Sequence, residues 1–219
     1  MRYSKEKLDE LQEILYSAVI ADILDEIGVK NFAMNDNLKP ISVEKSLIGY
    51  VRTLYAVDVF ETPEQPYQLD LTFIDSIKEG DVFVSTVNGN NYNGFYGELL
   101  TTATMVRGGR GAVIEGYSRD VKMIRDLDFP LYCLGTNPLD SKGRVDAIAA
   151  DKPMLCAGVM VHTGDMIFAD IDGIVVIPQE HIEKVINKAV EKISAENVVR
   201  DELRAGKSVK EVFDKYGIL

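Results

Sequence analysis

What the chain is short of narrows the field first. Although 46% of its 219 residues are hydrophobic, no apolar stretch approaches the roughly 20 residues that a membrane helix needs. A soluble, membrane-free protein is therefore expected. Met1 to Glu13 is a charged helix start without the apolar region of a secretory signal, so a cytoplasmic location is expected too. Cysteine is scarce: Cys133 and Cys156 lie far apart in apolar runs without CxxC spacing. That excludes a disulfide framework and reads as two reduced core thiols. The two histidines, His162 and His181, sit in a turn and at the start of a C-terminal helix. A histidine zinc site is excluded on that spacing, and any metal would take oxygen ligands. Basic residues are outnumbered, for a formal charge of −11, and form no stripe interleaved with aromatics. Such a surface repels a phosphate backbone, which excludes direct nucleic-acid binding. No glycine-rich nucleotide turn follows a strand near the start, which argues against a nucleotide-cofactor methyltransferase.

What is present is the pattern of an α/β protein without repeats or low-complexity tracts. The length predicts one or two domains, burying about 70% of the unfolded surface. Apolar residues at helical spacing predict one amphipathic helix from Lys5 to Ile27, stopped by Gly28. Leu47 to Val59 and Val82 to Val87 read as strands, with a helix near Leu69 to Ile77 between them. Asn88 to Tyr96 is an Asn- and Gly-rich connector, either a plain turn or a cover for a site; Tyr92 and Tyr96 have no assigned role. Val121 to Leu127 reads as a short helix, Pro130 to Leu134 as a strand, and Asn137 to Ala150 as an irregular excursion. Strands are expected at Leu155 to Val161, Met166 to Ala169 and Ile174 to Ile177. Asp170 and Asp172 belong to a tight hairpin, because the segment lacks the spacing and closing glutamate of a calcium loop. A long charged helix from Gln179 to Ala205 and a short one capped by Ser208 complete the chain. Residues 1–178 thus form one domain and 179–219 a helical extension that packs on it or on a neighbouring subunit.

The segment Gly97 to Asp120 carries chemistry. A helix begins after Gly97, the apolar strand Gly111 to Glu115 follows, and Arg119-Asp120 comes just past its end. The first turn of a helix leaves amides unpaired and partly positive, which suits a carboxylate or phosphate. Ligands of α/β sheets gather beyond the carboxyl ends of strands. Arginine offers a planar fork to a carboxylate, and aspartate is a hard oxygen ligand for magnesium or manganese that can polarise a keto oxygen. Metal-assisted chemistry on an oxo acid is implied.

The same segment resembles the RraA-like family, which holds 4-hydroxy-4-methyl-2-oxoglutarate aldolases and regulators of ribonuclease activity A. The likeness extends through Ala21 to Gly28, Gly49 to Thr53, Glu79 to Val84, Gly158-Val159, Thr163-Gly164-Asp165 and Asp170 to Pro178. In the family's aldolases the signature is an acidic residue, twenty intervening positions, then Arg-Asp. Here Glu98 takes the place of the family's usual Asp, at the matching distance from Arg119. The resemblance implies a layered mixed sheet flanked by helices, a swivelling β/β/α domain. It implies a class II aldolase that cleaves a 4-hydroxy-2-oxo acid to pyruvate and also decarboxylates oxaloacetate. By this likeness Arg119 binds substrate, Asp120 ligates Mg2+ or Mn2+, the amides of Gly97, Glu98, Leu99 and Leu100 hold the substrate carboxylate, and Arg119, Glu98 and Asp120 carry the catalysis. It further implies a homotrimer or homohexamer with sites between subunits, where Glu196 of a neighbour could join the metal's water shell. The alternative within the family is a non-catalytic regulator that binds a ribonuclease.

Overall fold

The computed structural model describes residues 2–35, 37–87 and 92–217. Two short helices, α1 (Lys5–Ile14) and α2 (Ser17–Glu26), open the chain. They occupy the span expected to be one helix. Leu15 and Tyr16 are extended, and the Asp170 carboxylate accepts from both the Ser17 amide and its hydroxyl at 2.7 Å. This side-chain substitute for a helical carbonyl starts a second helix where periodicity alone continues the first.

Among the described residues eleven strands follow: β1 (Lys39–Pro40), β2 (Leu47–Asp58), β3 (Asp81–Val87), β4 (Gly94–Tyr96), β5 (Gly111–Ser118), β6 (Leu131–Thr136), β7 (Val145–Ala150), β8 (Met154–Cys156), β9 (Val159–Val161), β10 (Met166–Ala169) and β11 (Ile174–Ile177). Among them run α3 (Gln68–Asp75), α4 (Glu98–Val106) and α5 (Val121–Asp126). A 3₁₀ turn, Gln179–His181, leads into α6 (Ile182–Arg204) and then α7 (Val209–Tyr216). The main sheet runs β1-β6-β5-β3-β2-β10-β11, with β4 added to β5 and β7 to β2. Its centre is parallel: β2, β3, β5 and β6 point the same way, while β1, β7, β10 and β11 are antiparallel to their neighbours. Strand β2 is long enough to pair along one edge with β10 at its start and β7 at its end.

Both faces of the central strands are covered, which explains their unalternating apolar runs. Val82, Val84 and Val113 join a core beneath the β8–β9 hairpin, while Phe83, Ala112 and Ile114 join another beneath α3, α4 and α5. A third core lies between α1, α2, α6 and the sheet face bearing Ile48, Tyr50 and Phe168.

Several expected elements differ in detail. Strand β7 lies inside the segment read as irregular, and its alternation of Val145, Ala147 and Ala149 is too weakly apolar to announce it. The single strand expected over 155–161 is a hairpin, turned by Ala157 and Gly158 at φ of 46° and 85°. Ser208 sits at the N-cap of α7, but its side chain makes no capping bond. Of the Asn88 to Tyr96 connector, residues 88–91 lie outside the described residues and 94–96 form β4. The first half of α6 packs on α2, with Lys188 and Lys192 paired to Glu26 and Asp22. No helix among the described residues is long and apolar enough to cross a membrane.

Candidate active site

Strand β5 ends at Ser118, and its last residues are pinned from both sides. The Ser118 hydroxyl donates to the Tyr96 carbonyl at 2.6 Å and the Arg119 amide to the same carbonyl at 3.0 Å, while the Asn137 amide donates to the Ser118 carbonyl at 2.9 Å. The carboxyl ends of β4, β5 and β6 therefore meet at Arg119. The next residue, Asp120, takes a left-handed φ of 58° as it caps α5. Aspartate tolerates that region better than most residues, and a conformation of this kind persists where the surroundings fix it.

This turn brings Asp120 to the start of α4, as the motif's order predicts. Asp120 Oδ2 accepts from the Glu98 amide at 3.3 Å and lies 3.6 Å from Arg119 Nε. Gly97 is buried between them: a Cβ there would stand 2.7 Å from Asp120 Oδ2 and 3.2 Å from Arg119 Cγ. Its φ of −133° is open to any residue, so close approach and not conformation requires glycine. The expectation of a fully available helix start needs one correction. The Glu98 amide is engaged by Asp120, whereas the amides of Leu99 and Leu100 carry no hydrogen bond among the described residues. The Glu98 carboxylate accepts from Thr102 at 2.7 Å, one turn along the helix. Leu99 is exposed; Leu100 packs against the core beneath α3 to α5.

Two residues at this ledge were not singled out from the sequence. Asp140 Oδ1 lies 3.3 Å from Arg119 Nη1, and the Tyr67 hydroxyl donates to Asp140 Oδ2 at 2.7 Å. Burial pushes the Tyr67 phenol up to about 12, reinforced by its bond to Asp140. Burial works against ionisation of Asp140 as well, but the Tyr67 bond and the Arg119 charge outweigh it and hold its carboxyl below the ordinary value. Both residues come from irregular segments. The sequence signal was the turn chemistry of Asn137, whose side chain accepts from the Leu139 amide at 3.0 Å and shapes the loop.

A divalent ion can be tested against these groups. Among the described residues no three His, Cys, Asp or Glu side chains are grouped to hold a metal. Asp120 stands as a single half-exposed carboxylate, and its Oδ1 has no hydrogen bond among the described residues. One carboxylate with the remainder water suits Mg2+, which keeps several waters and demands few protein ligands. It does not suit zinc. Glu196, considered for a neighbour's water shell, is engaged within its own chain by the Tyr16 hydroxyl and lies 3.8 Å from Arg200. A separate cavity of about 580 Å³ opens at the amino ends of β2 and β3, lined by Arg2, Tyr50, Arg52 and Asp81 among others. The Arg52 guanidinium there is bonded to Asp81, Asp151 and Ser76.

The fold and this ledge define a class. The RraA-like family model, described as Aldolase/RraA, matches residues 17–176, and the chain belongs to that family. Within it, the chain is 29% identical over 175 residues to the Halalkalibacterium halodurans protein named "Putative 4-hydroxy-4-methyl-2-oxoglutarate aldolase", covering 79% of this chain and 77% of that one. It is 28% identical over 200 residues to Protein DlpA of Legionella pneumophila, covering 91% of this chain; the chain spans 32% of DlpA's length. The crystal structure of Streptomyces coelicolor RraAS2, titled an unusual member of the RNase ES inhibitor RraA protein family, superposes with a TM-score of 0.78 at 25% identity, covering 91% of this chain and 98% of that one.

Proposed function

We propose that the chain is a divalent-metal-dependent carbon–carbon lyase that cleaves a 4-hydroxy-2-oxo acid, such as 4-hydroxy-4-methyl-2-oxoglutarate, to pyruvate and decarboxylates oxaloacetate. The observation that carries this reading is the meeting of Arg119, Asp120 and the first amides of α4 at the carboxyl end of β5. Asp120 would hold the ion, with water completing its shell; magnesium or manganese, when bound, supplies Lewis-acid polarisation of the 2-oxo group.

The chain's own groups account for the rest. The Leu99 and Leu100 amides receive the substrate carboxylate at the positive end of α4. Arg119 faces the 2-oxo oxygen, where negative charge develops as the C3–C4 bond breaks and its electron pair moves toward C2. Glu98, its carboxylate held by Thr102, takes the 4-hydroxyl proton through water, and a proton returned to C3 gives pyruvate. Oxaloacetate reaches the same enolate by losing its 4-carboxylate as carbon dioxide. The ledge is open, with the Arg119 and Asp120 side chains 35% and 41% exposed, so a second copy of the chain would be needed to exclude water from it.

A second reading, a regulator that binds a ribonuclease, draws on the likeness to RraAS2. A regulator requires a surface and not a carboxylate fixed at positive φ beside an arginine, so the lyase reading is preferred. The test is pyruvate release from 4-hydroxy-4-methyl-2-oxoglutarate and from oxaloacetate, with magnesium or EDTA. Release that needs the metal and falls about a hundred- to a thousandfold in Asp120→Ala supports the lyase. Release from neither compound overturns these two substrates, and ribonuclease inhibition by both native and variant protein would favour the regulator.

A further inference from the structure

We propose that Asp140, locked by Tyr67, is a positioning residue that aims the Arg119 guanidinium at the substrate, an inference that rests on the lyase reading above. An arginine side chain carries about 2 kcal/mol of rotamer entropy. One that is 35% exposed does not hold a single direction without partners. Arg119 has two, on different edges of its fork: Asp120 Oδ2 lies 3.6 Å from Nε and Asp140 Oδ1 lies 3.3 Å from Nη1. Both are ion-pair contacts and not hydrogen bonds, so they steer the guanidinium while leaving its N–H groups able to donate to a substrate.

Asp140 can aim Arg119 because its own loop is anchored to the strand that carries Arg119. The Asn137 amide donates to Ser118, the Gly94 amide to the Leu139 carbonyl at 2.7 Å, and Arg144 Nη1 to the Asp140 carbonyl at 3.0 Å. The carboxylate's second oxygen is filled by Tyr67 at 2.7 Å. Tyr67 holds a left-handed φ of 65°, a costly conformation for an aromatic residue, at the N-cap of α3. Its phenol stays protonated and Asp140 stays ionised across the neutral range, so the chain hydroxyl–carboxylate–guanidinium keeps one protonation state. An anionic Asp140 beside an anion-binding arginine opposes ligand binding by charge alone. Its benefit must come through geometry.

That opposition of sign makes the test specific. Oxalate, a planar dianion shaped like the enolate of pyruvate, is titrated calorimetrically in the presence of magnesium into the native protein, Asp140→Asn, Tyr67→Phe, Arg119→Ala and the Asp140→Asn/Arg119→Ala pair. Positioning predicts about fivefold weaker binding in Asp140→Asn, the upper end for a half-exposed pair, and a smaller loss in Tyr67→Phe. In the Arg119→Ala background the Asp140 substitution weakens nothing further. Unchanged or tighter binding in Asp140→Asn with its fold retained, or an equal loss in both backgrounds, overturns the positioning role and leaves the lyase standing. If Asp140→Asn does not fold, Tyr67→Phe decides: native affinity in that variant overturns the lock. Failure of the native protein to bind oxalate at all takes down the lyase reading and this one with it.

Discussion

At the scale of single residues, the proposed site calls for close approach as well as charge. Gly97 is the clearest case, since a methyl group there would occupy the space 2.7 Å from Asp120 Oδ2. Gly97→Ala is expected to displace the carboxylate and lower pyruvate release by up to about a hundredfold while the thermal midpoint moves little, because its φ carries no strain. A steady-state assay beside a melting curve checks this; full activity would show that Asp120 need not sit there. Asp70 offers a second residue-scale test. It is buried, its Oδ1 has no hydrogen-bond partner, and burial, then the Asp146 charge, push its carboxyl from 3.8 up to about 6. The folded state therefore binds the proton more tightly than the unfolded state does. This contribution is fully present below about pH 4 and is lost as pH rises through about 6, amounting to roughly 2 to 3 kcal/mol. Denaturation curves from pH 4 to 7 should show Asp70→Asn flattening that decline and stabilising the protein at pH 7; an unchanged pH profile would place the Asp70 proton in water.

At the scale of elements, the readable parts were those whose periodicity and ends agree. The centre of the sheet was legible because β3 and β5 each carry a short uninterrupted apolar run, residues 82–84 and 112–114, buried on both faces, and the Gly97–Asp120 order pointed to the end proposed here to carry the chemistry. Elements held by distant partners were not legible. The break between α1 and α2 is imposed by Asp170, 153 residues away from Ser17, and no local signal at Leu15 or Tyr16 announces it. Tyr67 and Asp140 reached Arg119 in the same way, from loops 73 residues apart. Asp170 also accepts from the Asp172 and Gly173 amides, so it ties the β10–β11 hairpin to the start of α2. Asp170→Ala should cost about 2 kcal/mol in urea denaturation by uncapping α2 and loosening the turn, with little change in turnover. A neutral effect on stability would mean the helix start finds other partners.

At the scale of the whole molecule, a charge of −11 surrounds a site proposed to take a dianion. Long-range repulsion slows and weakens capture, while Arg119, the start of α4 and a bound cation act within a few ångströms. Raising ionic strength shortens the range of the repulsion to about 8 Å at 0.15 M and leaves the short contacts largely intact, so KM for a dianionic substrate should fall a few-fold with added inert salt. A KM that rises steadily would show that the local cations dominate at all distances. The central claim is that Arg119 and Asp120 stabilise a pyruvate enolate, whatever the physiological oxo acid. Proton NMR of pyruvate in D2O with magnesium reads that step alone, as the exchange of its methyl protons for deuterium. The native protein should catalyse the exchange, with Arg119→Ala and Asp120→Ala slower by at least about a hundredfold; exchange no faster than in buffer, or equally fast in both variants, would contradict the account.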